Sequence, residues 1–96
     1  MDYEIFNTFP SYIFILNDEN IIYANENCIT LLNLNTKDKI QDIEHTELIE
    51  YCQTDEKPRT ITMEDIVYYV RCVRFKENLK FVEIQNMNID TCNMII

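Results

Sequence analysis

The sequence predicts an α+β fold with one five-stranded antiparallel sheet, because two strand-rich blocks flank a helical middle. In the first block, two apolar runs are separated by the polar turn 17–20. In the second block, the turns Glu64-Asp65 and Lys76-Glu77-Asn78 separate three β-branched and aromatic runs. The predicted strands cover residues 12–16, 21–24, 60–63, 66–75 and 79–85.

The first predicted helix follows Asn25, which stands where a helix cap belongs. Cys28, Leu31 and Leu32 follow at helical spacing. We expect the Asn25 side chain to accept a hydrogen bond from a backbone amide two or three residues later.

Two further helical segments are predicted in the middle of the chain. Thr36 is expected to cap a single turn that points Ile40 and Ile43 inward. A longer helix is expected from Thr46 to about residue 54, with Leu48, Ile49 and Cys52 on its apolar side.

An N-terminal helix is predicted over residues 1–9, with Asp2 as its cap. Ile5, Phe6 and Phe9 would form its apolar face, and Pro10 would end it. Two interpretations remain open for this helix: it covers the outer face of the sheet, or it contributes a dimer contact.

Length and composition restrict the classes of function. The 96 residues suffice for a single domain, and a net charge of −9 argues against binding to nucleic acid or anionic lipid. Neither a membrane-spanning run nor a secretory leader is evident, so we expect a cytoplasmic protein without membrane contact by this segment. Cys28, Cys52, Cys72 and Cys92 form no C-x-x-C pair, which favours reduced core thiols over zinc ligands or disulfides.

Glycine is absent from the sequence. Left-handed backbone positions must then be filled by other residues, and asparagine tolerates them best. We predict that Asn20, Asn33 and Asn78 occupy such positions.

The first strands and helix carry a resemblance to a known family. The combination of Leu16, Asp18, Ile22, Asn25 and 31–33 (Leu-Leu-Asn) resembles the start of a PAS domain. The resemblance extends over nearly the whole chain and implies a flanking helix over 1–9, a PAS core over 12–87 and an exit segment over 88–96. It also implies that the last strand pairs with the first and that the helices cover one face of the sheet. At the exit, Asn88-Ile89-Asp90 stands where the family often carries Asp-Ile-Thr.

Residues that could carry out catalysis are few, and we expect no enzyme activity from this chain, although a longer parent protein could be a histidine kinase. The chain has one histidine, His45, one serine, Ser11, and no glycine-rich phosphate loop. The resemblance makes His45 a candidate haem ligand, but it precedes the predicted helix and a surface or capping role is the alternative. Asn27-Cys28 matches only part of a flavin-binding motif, so no cofactor is predicted.

The resemblance also implies two sets of site residues. Side chains expected to line a small-molecule pocket are Phe14, Tyr23, Leu31, Leu32, Leu48, Cys52 and Tyr69. Side chains expected at a dimer interface are Ile5, Phe6, Phe9 and, on the outer sheet face, Tyr68, Val70 and Cys72 or the residues that alternate with them. A filled core is the alternative to an open pocket.

The expected function is therefore a PAS-type sensory and dimerisation module that relays a signal to an effector such as a histidine kinase. Two alternatives remain open: a redox or gas sensor that holds haem or flavin, and an α+β adaptor of another family that only binds proteins.

Overall fold

The computed structural model describes residues 4–35, 38–54 and 57–87 and confirms the α+β class. Its elements are an N-terminal 3₁₀ helix (Glu4–Thr8), β1 (Tyr12–Asn17), β2 (Asn20–Ala24), α1 (Glu26–Leu32), a central 3₁₀ helix (Ile40–Asp42), α2 (Thr46–Cys52), β3 (Arg59–Met63), β4 (Ile66–Arg74) and β5 (Leu79–Asn86). The predicted limits of all five strands differ from these by no more than one residue at either end. The predictions for Asp2, Thr36, Cys92 and the exit segment 88–96 lie outside the described residues.

The five strands form one antiparallel sheet in the order β2-β1-β5-β4-β3. The last strand lies between β1 and β4, so it joins the first hairpin to the second. Tyr12 of β1 pairs with Ile84 of β5, and Asn17 pairs with Leu79. This pairing of the first strand with the last is the one that the family resemblance implied.

The register assigns each strand residue to one of two faces, because successive side chains point to opposite sides. Phe14, Val82 and Cys72 are paired across three strands and share the side that we call the inner face. The two α-helices and the central 3₁₀ helix pack on this face, where their buried residues join the core. Ile13 and Ile15 point to the opposite side, the outer face, and are also buried.

Backbone angles correct two of the three predictions for asparagine. Asn33 ends α1 in the left-handed region at φ 53°, as predicted. Asn20 is instead the first residue of β2, and the left-handed residue of that turn is Asp18, at φ 54°. Asn78 is likewise absent from the described residues with positive φ. The position of the left-handed residue is set by the pairing of Asn17 with Asn20, which leaves a two-residue loop.

The second hairpin uses two consecutive left-handed residues. Glu64 and Asp65 have φ angles of 51° and 67° and connect β3 to β4, as the turn prediction required. Positive φ at both loop positions is typical of a type I′ turn, whose twist matches that of the strands.

The predicted helices differ from the structure mainly in the N-terminal segment. There, residues 4–8 form a 3₁₀ helix, and Phe9 N donates to Phe6 O at 3.2 Å. The inward positions predicted for Ile40 and Ile43 are confirmed, since both are buried in the core. Helix α2 begins at Thr46, as predicted, and ends at Cys52.

Candidate functional site

The buried side chain of Asn25 makes four hydrogen bonds. Its Oδ1 accepts from Cys28 N at 3.0 Å and from Ile13 N at 3.1 Å. Its Nδ2 donates to Ser11 O at 2.9 Å and to Phe6 O at 3.0 Å. The bond to Cys28 confirms the predicted helix cap. The other three depend on residues 12 to 19 positions away, so helix capping rules could not reveal them.

Asn25 and its neighbours fasten the N-terminal segment to the sheet. The Phe6 ring lies 6.0 Å from the Tyr23 ring and 5.5 Å from the Phe81 ring, measured between centroids. Tyr23 and Phe81 flank Ile15 on the outer face, one on each side in the register. Phe6 therefore covers the middle of the outer face at this point, whereas Ile5 and Phe9 remain exposed.

Five of the seven residues predicted to line a pocket lie in or against the core. Phe14, Leu32, Leu48 and Cys52 belong to one cluster of contacting buried residues. Leu31 packs against that cluster. These side chains occupy the space between sheet and helices that was predicted to hold a ligand.

The remaining two pocket predictions are wrong in their placement. Tyr23 lies on the outer face, where its ring contacts Phe6. Tyr69 also points outward, because it alternates along β4 with the core residues Tyr68 and Val70. The prediction treats an aromatic strand residue as inward-facing, although only the register of the strand decides the face on which it lies.

A surface groove of about 390 Å³ lies at the end of the sheet where the β1–β2 and β4–β5 turns meet. Buried Leu16, Ile40 and Cys52 contribute apolar lining. Its other lining residues are Asp18, Glu19, Gln53, Arg74, Asn78 and Lys80. An apolar base beneath charges of both signs suits a small polar molecule. No sequence pattern indicates this groove, since its walls come from turns and a helix that are distant in the chain.

Two basic side chains of the groove already contact backbone carbonyls. Lys80 Nζ donates to Cys52 O at 3.0 Å, and Arg74 Nη1 donates to Glu77 O at 2.6 Å. The first contact ties β5 to the C-terminal end of α2, where carbonyl groups lack partners within the helix. Lys80 therefore has a structural role at this end of the molecule.

The predicted dimer residues on β4 require a correction. Val70 is 0% exposed and Tyr68 is buried, both within the core cluster, and Cys72 packs against it. The prediction names these three residues first and leaves open the residues that alternate with them, because the two faces of β4 are similarly apolar in sequence. The structure places the alternating residues on the outer face of β4, namely Val67, Tyr69, Arg71 and Val73.

The outer face of β4 carries an exposed apolar strip. Val67 is 41% exposed, Val73 is 48% exposed, and Phe75, just after the strand, is also exposed. Val73 pairs with Phe81, whose ring contacts Phe6. The strip on β4 is therefore continuous with the N-terminal segment.

An ion pair interrupts this strip. Arg71 Nε lies 2.6 Å from Glu83 Oε1, and the two residues are directly opposite each other on β4 and β5. Glu83 is buried, while half of the Arg71 side chain is exposed. The charge of Glu83 is thus balanced by Arg71 of the same chain. A partner that covers this part of the outer face therefore does not leave an unpaired carboxylate buried.

Three cysteines are reduced and lie in or against the core. Cys28 and Cys52 are buried, Cys72 is partly buried, and all three have free thiols, as predicted. Burial raises the pKa of Cys28, with a further contribution from Cys52. Burial, followed by proximity to Cys72, raises the pKa of Cys52 to about 12 despite the opposing effect of Lys80. These two thiols are protonated at neutral pH and are poor nucleophiles.

His45 immediately precedes α2 and makes no side-chain capping bond there. Its partly exposed position agrees with the surface alternative and not with the capping alternative. Among residues 4–35, 38–54 and 57–87, no group of three or more His, Cys, Asp or Glu is placed to hold a metal ion. Within the same part of the chain, no helix is long and apolar enough to cross a membrane.

Comparison of the chain with protein-family models, with curated proteins and with solved structures found no match in any of the three. The functional interpretation therefore depends on the geometry of the outer face, the groove and the packed core.

Proposed function

We propose that this chain is a PAS-type sensory and dimerisation module of a cytoplasmic signalling protein. In this proposal it has no catalytic activity of its own and passes a signal to an effector such as a histidine kinase. The observation that carries the proposal is the exposed apolar strip Val67, Val73 and Phe75 on the outer sheet face.

The arrangement of the sheet supports the assignment to PAS domains. β5 pairs with β1, and the helices between β2 and β3 pack on one face only. Both features were implied by the resemblance around Asn25 and neither could be read from the strand pattern. The outer face is therefore available for contact with another protein.

The outer face is proposed to contact a second copy of the chain. Exposed valine and phenylalanine side chains gain free energy when a partner excludes water from them. Ile5 and Phe9 extend the same surface beyond the sheet, so they and the strip together form the proposed interface.

The N-terminal segment gives this surface a mechanical link to the rest of the molecule. Asn25 binds the backbone at Phe6 and also caps α1, so a shift of one element strains the other. Transmission of a signal requires two arrangements that differ by only a few kcal/mol. We propose that the contact of Phe6 with Tyr23 and Phe81 differs between these arrangements.

The packed core favours relay by protein contact over sensing through a central ligand. Phe14, Leu48 and Cys52 fill the position predicted for a pocket. This observation also favours the second candidate, an α+β adaptor of another family that binds proteins only. The haem and flavin alternatives predict a coloured protein with added mass after purification.

The first experiment compares the native and the denatured mass of the purified chain by mass spectrometry, which detects a bound adduct. Sedimentation of the same sample gives its oligomeric state. The proposal expects self-association without added mass, and Val73→Glu should raise the dissociation constant of the outer-face contact at least about ten-fold. Gln41→Glu, an exposed change on the central 3₁₀ helix, which packs on the inner face, is the matched charge control.

Self-association that Val73→Glu leaves unchanged would contradict the assignment of the outer face. An adduct of the mass of haem or flavin would replace the contact-relay proposal by the cofactor alternative. A stable monomer that binds a different protein through the same face would favour the adaptor.

A further inference from the structure

The two edges of the sheet differ in how they are covered. At the β2 edge, Asn20 forms a bridge with Lys39, and Ile21 N donates to Asp38 O at 2.7 Å. At the other edge, β3 is the terminal strand, and no part of the chain that the structure describes pairs with its open side. An uncovered edge is a template for pairing with another strand.

The open edge of β3 presents the backbone groups of two threonines. A two-residue hairpin closes on a hydrogen-bonded pair, here Met63 and Ile66, and such pairs recur at every second residue. Ile61 is therefore hydrogen-bonded to β4, while the N–H and C=O of Thr60 and Thr62 point away from it. Both threonine side chains are exposed on the outer face.

Devices that protect an edge are confined to the N-terminal end of β3, where Lys57 and Pro58 precede the strand and Arg59 lies over the Tyr51 ring on the inner side. Arg59–Met63 contains no proline and no lysine, and its pairing with β4 has no bulge. The strand is rich in β-branched residues, which favour extended pairing.

We propose that β3 pairs antiparallel with β3 of a second copy of this chain, centred on Ile61, so that the two sheets form one continuous ten-stranded sheet. This contact is separate from the outer-face interface. With Ile61 opposite Ile61, Thr60 of each copy lies opposite Thr62 of the other. Four backbone hydrogen bonds form between these threonines, and each Thr–Thr pair adds a favourable side-chain contact on the outer face.

Charge at the two ends of the strand supports a second copy as the occupant. Lys57 precedes β3, and Asp65 follows it in the turn to β4. A centre at Ile61 brings Lys57 of each copy to the end of the interface where the other copy's β3–β4 turn carries Glu64 and Asp65. Lysine at one end and carboxylates at the other are therefore brought together twice by an antiparallel second copy. The interface is self-complementary, as a two-fold dimer requires.

The test is the self-association of the full chain, measured by sedimentation velocity over a range of concentrations. Thr62→Pro removes an N–H that points outward and leaves the pairing of β3 with β4 intact. Thr62→Ser, which keeps the amide, is its matched control. We expect Thr62→Pro to raise the dissociation constant of the edge contact at least about ten-fold, while Thr62→Ser leaves it unchanged.

Charge reversal gives a second test that leaves the backbone of β3 unchanged. Lys57→Glu places like charges together at both ends of the interface and should weaken association on the order of ten-fold. Adding Asp65→Lys to the same chain restores opposite charges and should recover most of the loss. Circular dichroism and melting of each variant establish that the monomer is folded, and the charge variants decide the question if Thr62→Pro unfolds.

Repeating the Thr62 and Lys57 variants in the Val73→Glu chain tests the edge contact after the outer-face contact has been weakened. The edge contact predicts that a Val73→Glu dimer remains and that Thr62→Pro abolishes it. A folded Thr62→Pro chain that associates as the wild type does would overturn the proposal, as would a Lys57→Glu chain of unchanged affinity. A wild type that stays monomeric at every concentration would overturn both this contact and the outer-face dimer.

Discussion

The Asn25 side chain donates to the backbone carbonyl of Phe6 at 3.0 Å, across 19 positions of sequence. The same amide group caps α1 and binds the start of β1. A single side chain thus joins the N-terminal segment, the sheet and the first helix. Its loss should affect all three.

Asn25→Ala should lower the free energy of unfolding by about 3 kcal/mol, well above the roughly 1 kcal/mol of an ordinary helix cap. Two N–H and two C=O groups lose their partner, and three of the four bonds are in buried surroundings. Urea denaturation measures the change.

Asn25→Asp distinguishes the two roles, because aspartate caps a helix as well as asparagine does. It keeps the bonds from Ile13 and Cys28 but places a carboxylate against the carbonyls of Ser11 and Phe6. We expect a loss similar to that of alanine. Nearly wild-type stability would show that the cap alone matters.

Asn33 should show the importance of left-handed geometry. Its φ of 53° and ψ of 56° disfavour residues with a β-carbon, so Asn33→Ala should destabilise the chain by about 1 kcal/mol. Asn33→Gly, the matched control, should equal or exceed the wild type in melting temperature. Equal effects of the two changes would argue against strain at this position.

The buried thiols predict a loss of stability at alkaline pH. The pKa of Cys52 is raised from 9.0 to about 12 in the folded chain, chiefly by burial. At a pH below the pKa of Cys52 in the unfolded chain, the folded and unfolded states both hold the thiol proton, and burial of the thiol does not lower the free energy of unfolding. As pH rises from there toward the folded pKa, only the unfolded state loses the proton, so the free energy of unfolding should fall by about 1.4 kcal/mol per pH unit.

Urea midpoints between about pH 7 and about pH 10 measure this effect, to which Tyr51 and Tyr68 add near the upper limit because burial also raises their pKa. Cys28, whose pKa is also raised by burial, should add a similar slope. Cys52→Ala removes one of the two contributions and should make the alkaline slope shallower. An unchanged slope in that variant would show that Cys52 is not a buried titrating group.

The two faces of β4 should respond differently to a charge. Val70→Glu places a carboxylate in the core and should destabilise the chain by about 4 kcal/mol or more. Val73→Glu, three residues further along the strand, changes an exposed position and should cost far less when melting is measured at a concentration where the wild type is monomeric. Similar melting of the two variants would contradict the assigned register.

Local patterns predicted most of the elements but only part of the site. The apolar runs and their turns located all five strands, and Asn25 was identified as a cap from its neighbours alone. The direction of Tyr69 and Val70 was predicted wrongly, because β4 is apolar on both sides and its sequence does not distinguish them. The groove beside Lys80 and the contacts of Phe6 were missed, since each depends on residues brought together from distant parts of the chain.

The sequence by itself determined the α+β class, the positions of the strands, the cap at Asn25 and the left-handed residue Asn33. These depend on interactions between near neighbours, whose geometry is limited by backbone sterics and short hydrogen bonds. Only the tertiary structure decided which face of β4 is buried, which sheet edge is covered and where the N-terminal segment lies. Those features follow from the pairing of β5 with both β1 and β4. The registers of these pairs decide the face on which each side chain lies, and no local sequence pattern specifies a register.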